Sequence, residues 1–327
     1  MRESGNLGGV VRTDPAWSPD MPIFLAPAWL SSQGPESGWF EARPAPDLHL
    51  VLPFVGRRKA GLRWLQFQWG VWSNAPIDVD TEHAFLDAAV ARARAEGFAA
   101  ITQPATMALF HSAPTGATCA PFGTVIVDLA PTEDELRAGM RSRSRTVARK
   151  AEAEGVTIEW GANLEGEAHA LCANTMARSG LGFPSREQFG TLVAALGEHV
   201  HIGVAHAGGV PQACVVNPWS VYGAHCLFAG SIEHPAAGAT TLLQWEAITR
   251  ARSSGARMYD LVGVRIDPEP GSKYAGLRQF KTGFGGQVVE GCLWKMPLSG
   301  WRSSILIAAK RLRGDAPDII DQVVGSR

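Results

Sequence analysis

One pattern occurs twice in this chain and constrains its fold more than any other feature. Residues Ala91 to Ile101 hold the end of an apolar-periodic helix, a glycine and a short apolar strand, and Thr249 to Tyr259 repeat that order. In both copies the glycine stands where a helix ends with a positive φ angle, which glycine adopts readily. The repeat predicts two α/β domains of like topology, although helix–glycine–strand is also a common order in α/β proteins.

The division between the two domains is predicted near Ala130, just after a strand. Thr132 follows, with Glu135 three residues later, which is the spacing of a capping box at a helix start. We therefore expect a first domain at 1–130 and a second at 131–296. The remaining segment, 297–327, is predicted to form a helix, from about Trp301 to Arg313, that packs back on the first domain.

Composition excludes several classes of protein. The net charge is −1 and the isoelectric point about 6.8, which argues against a strongly basic nucleic-acid binder but leaves room for a local basic patch. The five cysteines are scattered, so we expect reduced thiols and no metal site. The N-terminus has no apolar signal region, and no run reaches the ~18 apolar residues of a membrane span. These features predict a cytoplasmic protein without membrane insertion, and we expect a monomer.

A row of basic residues marks the start of the second domain. A single helix is predicted from Glu133 to Glu154, with arginines at every fourth position: Arg137, Arg141, Arg145 and Arg149. Like charges at this spacing destabilise a helix by a few tenths of a kcal/mol per pair. A phosphate partner would offset that cost, whereas the alternative is a helix face exposed to solvent. Both interpretations remain open from the sequence.

The end of the second domain carries the most distinctive residues. Met258 to Gly263 is predicted as a buried strand, after a helix at 240–254 and a strand at 223–230. Tyr274 to Gly286 follows, and we expect it to hold a loop, a Phe-Lys pair and a glycine-rich turn. Lys281 of that pair lies either on the surface at the start of a strand or in a cleft.

This order of motifs resembles the end of the catalytic domain in the FemAB-type aminoacyltransferases. In that family a GNAT-like domain transfers an aminoacyl group from a charged tRNA to an amine. Arg145 to Val156 and Ala177 to Phe189 are also similar to the family, and the resemblance covers most of 125–295. It implies an α/β fold of two tandem GNAT-like domains with mixed sheets flanked by helices. Some members have a long coiled-coil arm. This sequence has no heptad run of that length, so the chain resembles the compact type without the arm.

The resemblance implies roles for particular residues. Lys281 would stabilise the oxyanion of acyl transfer, and Phe280 would line the site and stack on the terminal adenine. Asp260 would accept the amine proton through a water, unless it caps a loop or pairs with Arg265. The tRNA phosphates would contact Arg141, Arg145, Arg149 and Lys150. The acceptor would contact Trp69, Gln103, Arg186, Phe228 and Tyr259. No cofactor is expected, because aminoacyl-tRNA is itself an activated co-substrate.

Departures from the family pattern bear on the acceptor. The segment from Phe24 to Trp39 has no lysine or arginine to contact a diphosphate, and Gln103 replaces an acidic residue. We therefore expect a small peptide or natural-product acceptor, as in antibiotic biosynthesis, with a peptidoglycan-precursor bridge as an alternative. An acyl-CoA-dependent N-acyltransferase is a second alternative, although the loop from Pro235 to Thr240 lacks the usual basic or amide residue of a pyrophosphate loop. A non-catalytic RNA-binding module is a third, and it would not need Lys281.

Overall fold

The computed structural model describes residues 9–305 and 317–325. The helices are α1 Pro27–Gln33, α2 Val79–Ala95, α3 Glu133–Gly139, α4 Ser142–Ala153, α5 Glu165–Arg178, α6 Arg186–Leu196, α7 Ala239–Ser253 and α8 Lys273–Thr282. The strands are β1 Val11–Thr13, β2 Glu36–Ala45, β3 Leu48–Lys59, β4 Leu62–Phe67, β5 Trp72–Ser73, β6 Ala100–Ile101, β7 Thr118–Asp128, β8 Val156–Trp160, β9 Val200–Ala207, β10 Val210–Pro218, β11 Ala224–His225, β12 Phe228–Ser231, β13 Met258–Asp260 and β14 Gln287–Pro297. Two more helical stretches are 300–305 and Ile319–Val324. Most of the helix predicted from Trp301 to Arg313 lies outside the described residues.

The chain forms two compact units. The first comprises the described parts of 1–17, 24–123 and 290–327, and the second comprises 18–23 and 124–289. The chain passes into the second unit within β7 and returns to the first within β14.

The first unit is built on a sheet with strand order β1-β2-β3-β4-β6-β14. β4 and β6 are parallel, whereas the other neighbouring strands whose register is defined pair antiparallel. The helix α2 runs between β4 and β6, as a parallel connection requires. Its buried face, which includes Phe85 and Leu86, packs into a core with Phe54, Phe67 and Trp294.

The second unit contains two sheets. One has the order β7-β13-β11, with β13 antiparallel to β7 and parallel to β11. The other is an antiparallel sheet of four strands in the order β12-β10-β9-β8. The helices α4 and α7 pack together, and α7 contributes Leu243, Trp245 and Ile248 to the larger core.

The two copies of the repeated pattern occupy equivalent places in their units. The amide of Phe98 donates to the carbonyl of Ala93 at 3.2 Å, and in the second copy Ala256 donates to Ala251 at 3.1 Å. The glycines at the two turns have φ angles of 81° and 87°, so both helices end in the same Schellman-type turn. Moreover, β6 pairs with β14, which follows the second copy, whereas β13 pairs with β7, which follows the first. The two repeats have therefore exchanged their last strands.

The single helix predicted at 133–154 is wrong, because the chain breaks into α3 and α4. Met140 has an extended backbone with φ −63° and ψ 150°, and its side chain is buried. The amide of Arg141 donates to the carbonyl of Gly283 at 3.0 Å rather than within a helix. Tertiary contacts thus interrupt a segment whose local sequence favours one helix.

Two further predictions of local structure were wrong in the second unit. The strand predicted at 223–230 is two strands, β11 and β12, which pair in different sheets. The loop and strand start expected around Phe280 are the helix α8, whose N-cap Ser272 accepts from the amide of Ala275 at 3.2 Å. The glycine-rich turn comes after this helix, as expected, and leads into β14.

Candidate functional site

A buried lysine stands in the last turn of α8. Lys281 is only 9% exposed, and its Nζ donates to the carbonyl of Val262 at 3.0 Å and to that of Gly263 at 2.8 Å. Burial lowers the pKa of Lys281 below its usual value, while the nearby Cys226 and Asp260 oppose that change. A lysine ammonium has three donors, so a third remains after these two bonds.

The loop that holds Lys281 carries local strain. Val262 has a φ angle of 52°, in the left-handed region that a β-branched residue rarely adopts. Its neighbouring carbonyls are fixed by α8, because Arg278 also donates to the carbonyl of Ile266. Strained backbone of this kind costs about 1–3 kcal/mol and clusters at functional sites.

Asp260 supports this loop from the end of β13. Its carboxylate is almost fully buried and accepts a hydrogen bond from the hydroxyl of Thr124 and another from the amide of Val262, the latter at 2.7 Å. The Nδ1 atom of His225 lies 3.5 Å from the other carboxylate oxygen. These bonds are those of a loop-capping carboxylate, which is one of the two alternatives to the predicted role as acceptor of the amine proton, and that role stays a prediction. Arg265 instead lies over the ring of Tyr274, at 5.1 Å.

A cavity lies against β10, β12 and α7 and reaches Phe280 of α8. The segment from Ala224 to Ser231 pairs first with β13 and then with β10, so it leaves one sheet for the other. The cavity, which we name the splay cavity, measures about 150 Å³. Its lining includes Gly230 and Ser231 of β12, Thr240 and Gln244 of α7, and Phe280. Phe280 therefore lines the cavity next in sequence to Lys281, as a wall residue would.

The predicted phosphate-binding residues separate into two kinds. Arg141 donates to the hydroxyl of Thr282 at 2.9 Å, and Arg145 donates to the carbonyl of Ala138 at 2.6 Å and to that of Met140. These two guanidinium groups therefore hold the break between α3 and α4. Lys150 forms an exposed ion pair with Glu154 at 3.5 Å. Within the part of the chain that the structure describes, Arg149 makes no hydrogen bond or ion pair.

The residues predicted to bind the acceptor are divided between the two units. In the first unit, Trp69 stacks on Phe24 with ring centroids 5.3 Å apart, and the Gln103 side chain accepts from the amide of Ile320 at 3.1 Å. In the second unit Arg186 begins α6, and Phe228 packs against Phe183 and Phe189. Tyr259 is fully buried, and its hydroxyl accepts from Gln244 at 2.7 Å. The acceptor role of all five stays a prediction.

Three residues of the cluster were missed by the sequence analysis. Thr124, His225 and Arg278 each contact Asp260 or the loop after it. Thr124 and His225 lie in strands and look like ordinary core positions in the sequence. The signal that could have found them is their polarity, because buried polar side chains need partners.

Comparisons with known proteins concern the segment that contains these residues. Residues 137–281 match the family described as an acetyltransferase (GNAT) domain. This range contains β11, the splay cavity and Lys281. These residues are therefore similar to a GNAT acetyltransferase domain, and the match covers less than half of the chain. No protein with a curated description matches the chain in a sequence search.

Solved structures extend the likeness over both units. The crystal structure of FemX aligns with 82% of this chain and 90% of its own at 16% identity, with a TM-score of 0.60. L-PGS from Bacillus licheniformis aligns with 86% of this chain and 90% of its own at 15% identity, with a TM-score of 0.50. The predicted resemblance to the FemAB-type proteins is confirmed at the level of the fold. The predicted fold class, α/β with two tandem GNAT-like domains, is also confirmed.

No helix among the described residues is long and apolar enough to cross a membrane.

Proposed function

We propose that this protein is an aminoacyltransferase that moves an amino acid from aminoacyl-tRNA to an amine acceptor and forms an amide bond. The observation that carries the proposal is the buried Lys281, which is held by the carbonyls of Val262 and Gly263 and follows Phe280, a residue that lines the splay cavity. The FemX-like fold and the predicted Phe-Lys pair support the choice of an aminoacyl donor. We expect the acceptor to be a small peptide or natural-product intermediate.

In the proposed reaction, Lys281 and Phe280 have different roles. An aminoacyl ester is already activated, so transfer needs a neutral amine, a fixed approach and stabilisation of the oxyanion. The third donor of Lys281 would bind the oxygen that becomes negative when the amine attacks the carbonyl. Collapse of that intermediate expels the ribose oxygen, which takes a proton as the amide nitrogen loses one. Phe280 would exclude water from the ester and so limit hydrolysis.

Asp260 would act through its neighbours in this scheme. Its bonds to Thr124 and to the amide of Val262 fix the loop whose carbonyls hold Lys281. Its buried negative charge also opposes the drop in the pKa of Lys281 that burial causes. In this way Asp260 favours the cationic form of the lysine, which is the form that stabilises an oxyanion.

The experiment that tests the proposal supplies donors and acceptors together. The protein is incubated with a pool of tRNAs charged with isotopically labelled amino acids and a small-molecule cell extract. Transfer is followed by mass spectrometry. We expect a labelled amide product that disappears after RNase treatment of the donor. Product formation that survives RNase, but requires an acyl-CoA, would refute the proposal.

An acyl-CoA donor is the second candidate, favoured by the description of the matching family as acetyltransferases. The splay cavity reaches Thr240 in the first turn of α7, where backbone amides can bind phosphate. Gly238 provides the N-cap, with a φ angle of 81°, but the loop before it has no basic side chain other than a histidine at position 234. Calorimetry with CoA separates the candidates, because the aminoacyl-tRNA proposal predicts no tight binding of CoA.

A further inference from the structure

The hairpin between β3 and β4, in the first unit, carries several cations and no carboxylate. Within residues 57–64 the cations are Arg57, Arg58, Lys59 and Arg63. The net charge of the whole chain, by contrast, is −1. The turn consists of Ala60 and Gly61, with φ angles of 49° and 77°, and positive values at both positions are those of a type I′ turn. The tip therefore has no side chain longer than a methyl group, and the cations flank it.

The strand register divides these cations between the two faces of the hairpin. Opposite residues of an antiparallel pair share a face, and successive residues of a strand alternate between faces. Arg57 and Lys59 therefore lie on one face, with Trp64 opposite Arg57. Arg58 lies on the other face, opposite Arg63. We name the surface formed by Arg57, Lys59 and Trp64 the hairpin face.

A carboxylate lies on the second face but not on the hairpin face. Glu36 lies against Gly56, two residues before Arg58, and pairs with Arg63 at 2.5 Å. On the hairpin face, Arg57 and Lys59 are both exposed. Among the described residues, neither of them makes a hydrogen bond or an ion pair. Their charges are thus open to an external partner.

Two unpaired cations on one face are unfavourable for the fold. Residues two apart on a strand are separated by roughly 6.8 Å, so the charges of Arg57 and Lys59 repel each other. Elsewhere in the first unit, arginines on β1, β2, β4 and α2 pair with glutamates: Arg12, Arg43, Arg63 and Arg92. An anionic partner would relieve the repulsion that the chain itself leaves at the hairpin.

We propose that the hairpin face binds the phosphate backbone of the tRNA partner, with phosphates on Arg57 and Lys59. This inference rests on the proposed function, which makes tRNA a substrate. A tRNA is much larger than its acylated end, so contacts away from the reacting ester are expected. The half-buried Trp64 lies beside Arg57, and cations next to an aromatic ring are a usual combination in surfaces that bind nucleic-acid strands. Phosphate contacts carry no sequence information, so different tRNAs should bind this face alike.

A membrane surface is the other polyanion that cations of this kind bind, and the hairpin favours RNA. Peripheral membrane binding combines cations with apolar side chains that enter the lipid. The tip of this hairpin offers only Ala60 and Gly61. The large apolar side chains that are exposed among the described residues all lie outside residues 57–64.

The test measures the affinity of fluorescently labelled, uncharged tRNA by anisotropy over a series of salt concentrations. The double variant Arg57→Gln/Lys59→Gln should weaken binding about tenfold at low salt. The magnitude of the log–log salt slope should fall by roughly 1.4–1.8, since each lost phosphate contact removes about 0.7–0.9. In transfer assays the KM for charged tRNA should rise while kcat stays unchanged, because neither side chain is placed at the reacting atoms.

Arg43→Gln and Arg58→Gln are the matched controls for the single variant Arg57→Gln. Arg43 is an exposed arginine on the neighbouring strand β2, and Arg58 is an exposed arginine on the second face of the hairpin. Each control removes one positive charge, and we expect each to weaken tRNA binding less than Arg57→Gln does. Equal losses in all three would show general charge attraction and overturn the inference, as would an unchanged salt slope in the double variant. Circular dichroism checks that each variant keeps the fold.

Vesicles of phosphatidylglycerol and phosphatidylcholine separate RNA from lipid as the partner. Cosedimentation with the vesicles that the double variant loses, with its tRNA affinity unchanged, would overturn the inference in favour of a membrane. Transfer kinetics that the double variant leaves unchanged would also overturn it, while the proposed function would stand. Binding of tRNA that depends on the hairpin, without transfer to any acceptor, would instead refute the proposed function and support the hairpin face as an RNA-binding surface.

Discussion

Replacement of Lys281 by methionine tests the proposed chemistry most directly. Methionine has a similar length and apolar stem, so it can occupy the same buried position. Loss of the ammonium group should lower kcat by about 10²–10³, the usual effect of removing one oxyanion donor, which corresponds to roughly 2.7–4 kcal/mol. Donor affinity should change little, because the proposed interaction forms in the transition state.

The same substitution should have a small effect on stability. The carbonyls of Val262 and Gly263 each lose a donor, and an unsatisfied buried acceptor costs about 1–3 kcal/mol. Both residues are only half-buried, so water can replace the lysine. The substitution also removes the cost of burying the lysine charge, and this change raises the free energy of unfolding. We expect a net loss near 1 kcal/mol, measured by urea denaturation.

Lys273→Met is the matched control, because Lys273 begins the same helix but is exposed and donates to Ser179 at 2.9 Å. This variant should transfer amino acids at the wild-type rate from charged tRNA. Full activity of Lys281→Met would refute the catalytic role. A loss confined to KM for the donor would instead show that Lys281 contacts phosphate.

Three further predictions follow from the described residues. As the pH rises, the kcat/KM of the wild type should begin to fall before pH 10.5, because burial lowers the pKa of Lys281 and the cationic form is lost. Lys281→Arg should move this alkaline decrease in kcat/KM to higher pH. The free energy of unfolding should decrease as pH falls from 6.5 toward 4, since burial lowers the pKa of His201 to about 4 and the unfolded chain takes up the proton first. After allowance for partial exposure we expect His201 to account for at most about 2 kcal/mol of this decrease, and His201→Phe should reduce the pH dependence measured by urea titrations. Gly230→Val should abolish transfer, because even a Cβ there would lie 2.5 Å from the backbone of Leu171; an active, folded variant would contradict this.

Local signals in the sequence predicted the elements that depend on few residues. The capping box of Thr132 and Glu135 forms as expected at the start of α3. The glycine turns predicted after the two helices of the repeat, α2 and α7, share the same geometry. Each of these features is set within one turn of the chain, so the pattern alone is sufficient.

Features that depend on distant residues could not be predicted in this way. The break at Met140 is fixed by a hydrogen bond from Arg141 to Gly283, which is remote in sequence. The separation of β11 from β12 depends on the choice between β13 and β10 as partners. As a result the regular spacing of the arginines, which suggested one charged face, does not correspond to one face of one helix.

The helix α8 shows why the candidate site was the hardest part to predict. Tyr274 and Leu277 are 46% and 41% exposed, whereas Lys281 on the same helix is 9% exposed. Two large apolar residues of this helix thus face outward and one charged residue faces inward, which departs from the pattern expected of an amphipathic helix. Residues that depart from the local sequence pattern of a helix are expected mainly at functional or strained sites, and other contacts must then offset the energetic cost. Here the compensation is visible: Asp260 fixes the loop, the strained Val262 presents its carbonyl, and the buried lysine gains two acceptors. An arrangement that costs energy at each of these points is consistent with the catalytic role that we propose for Lys281.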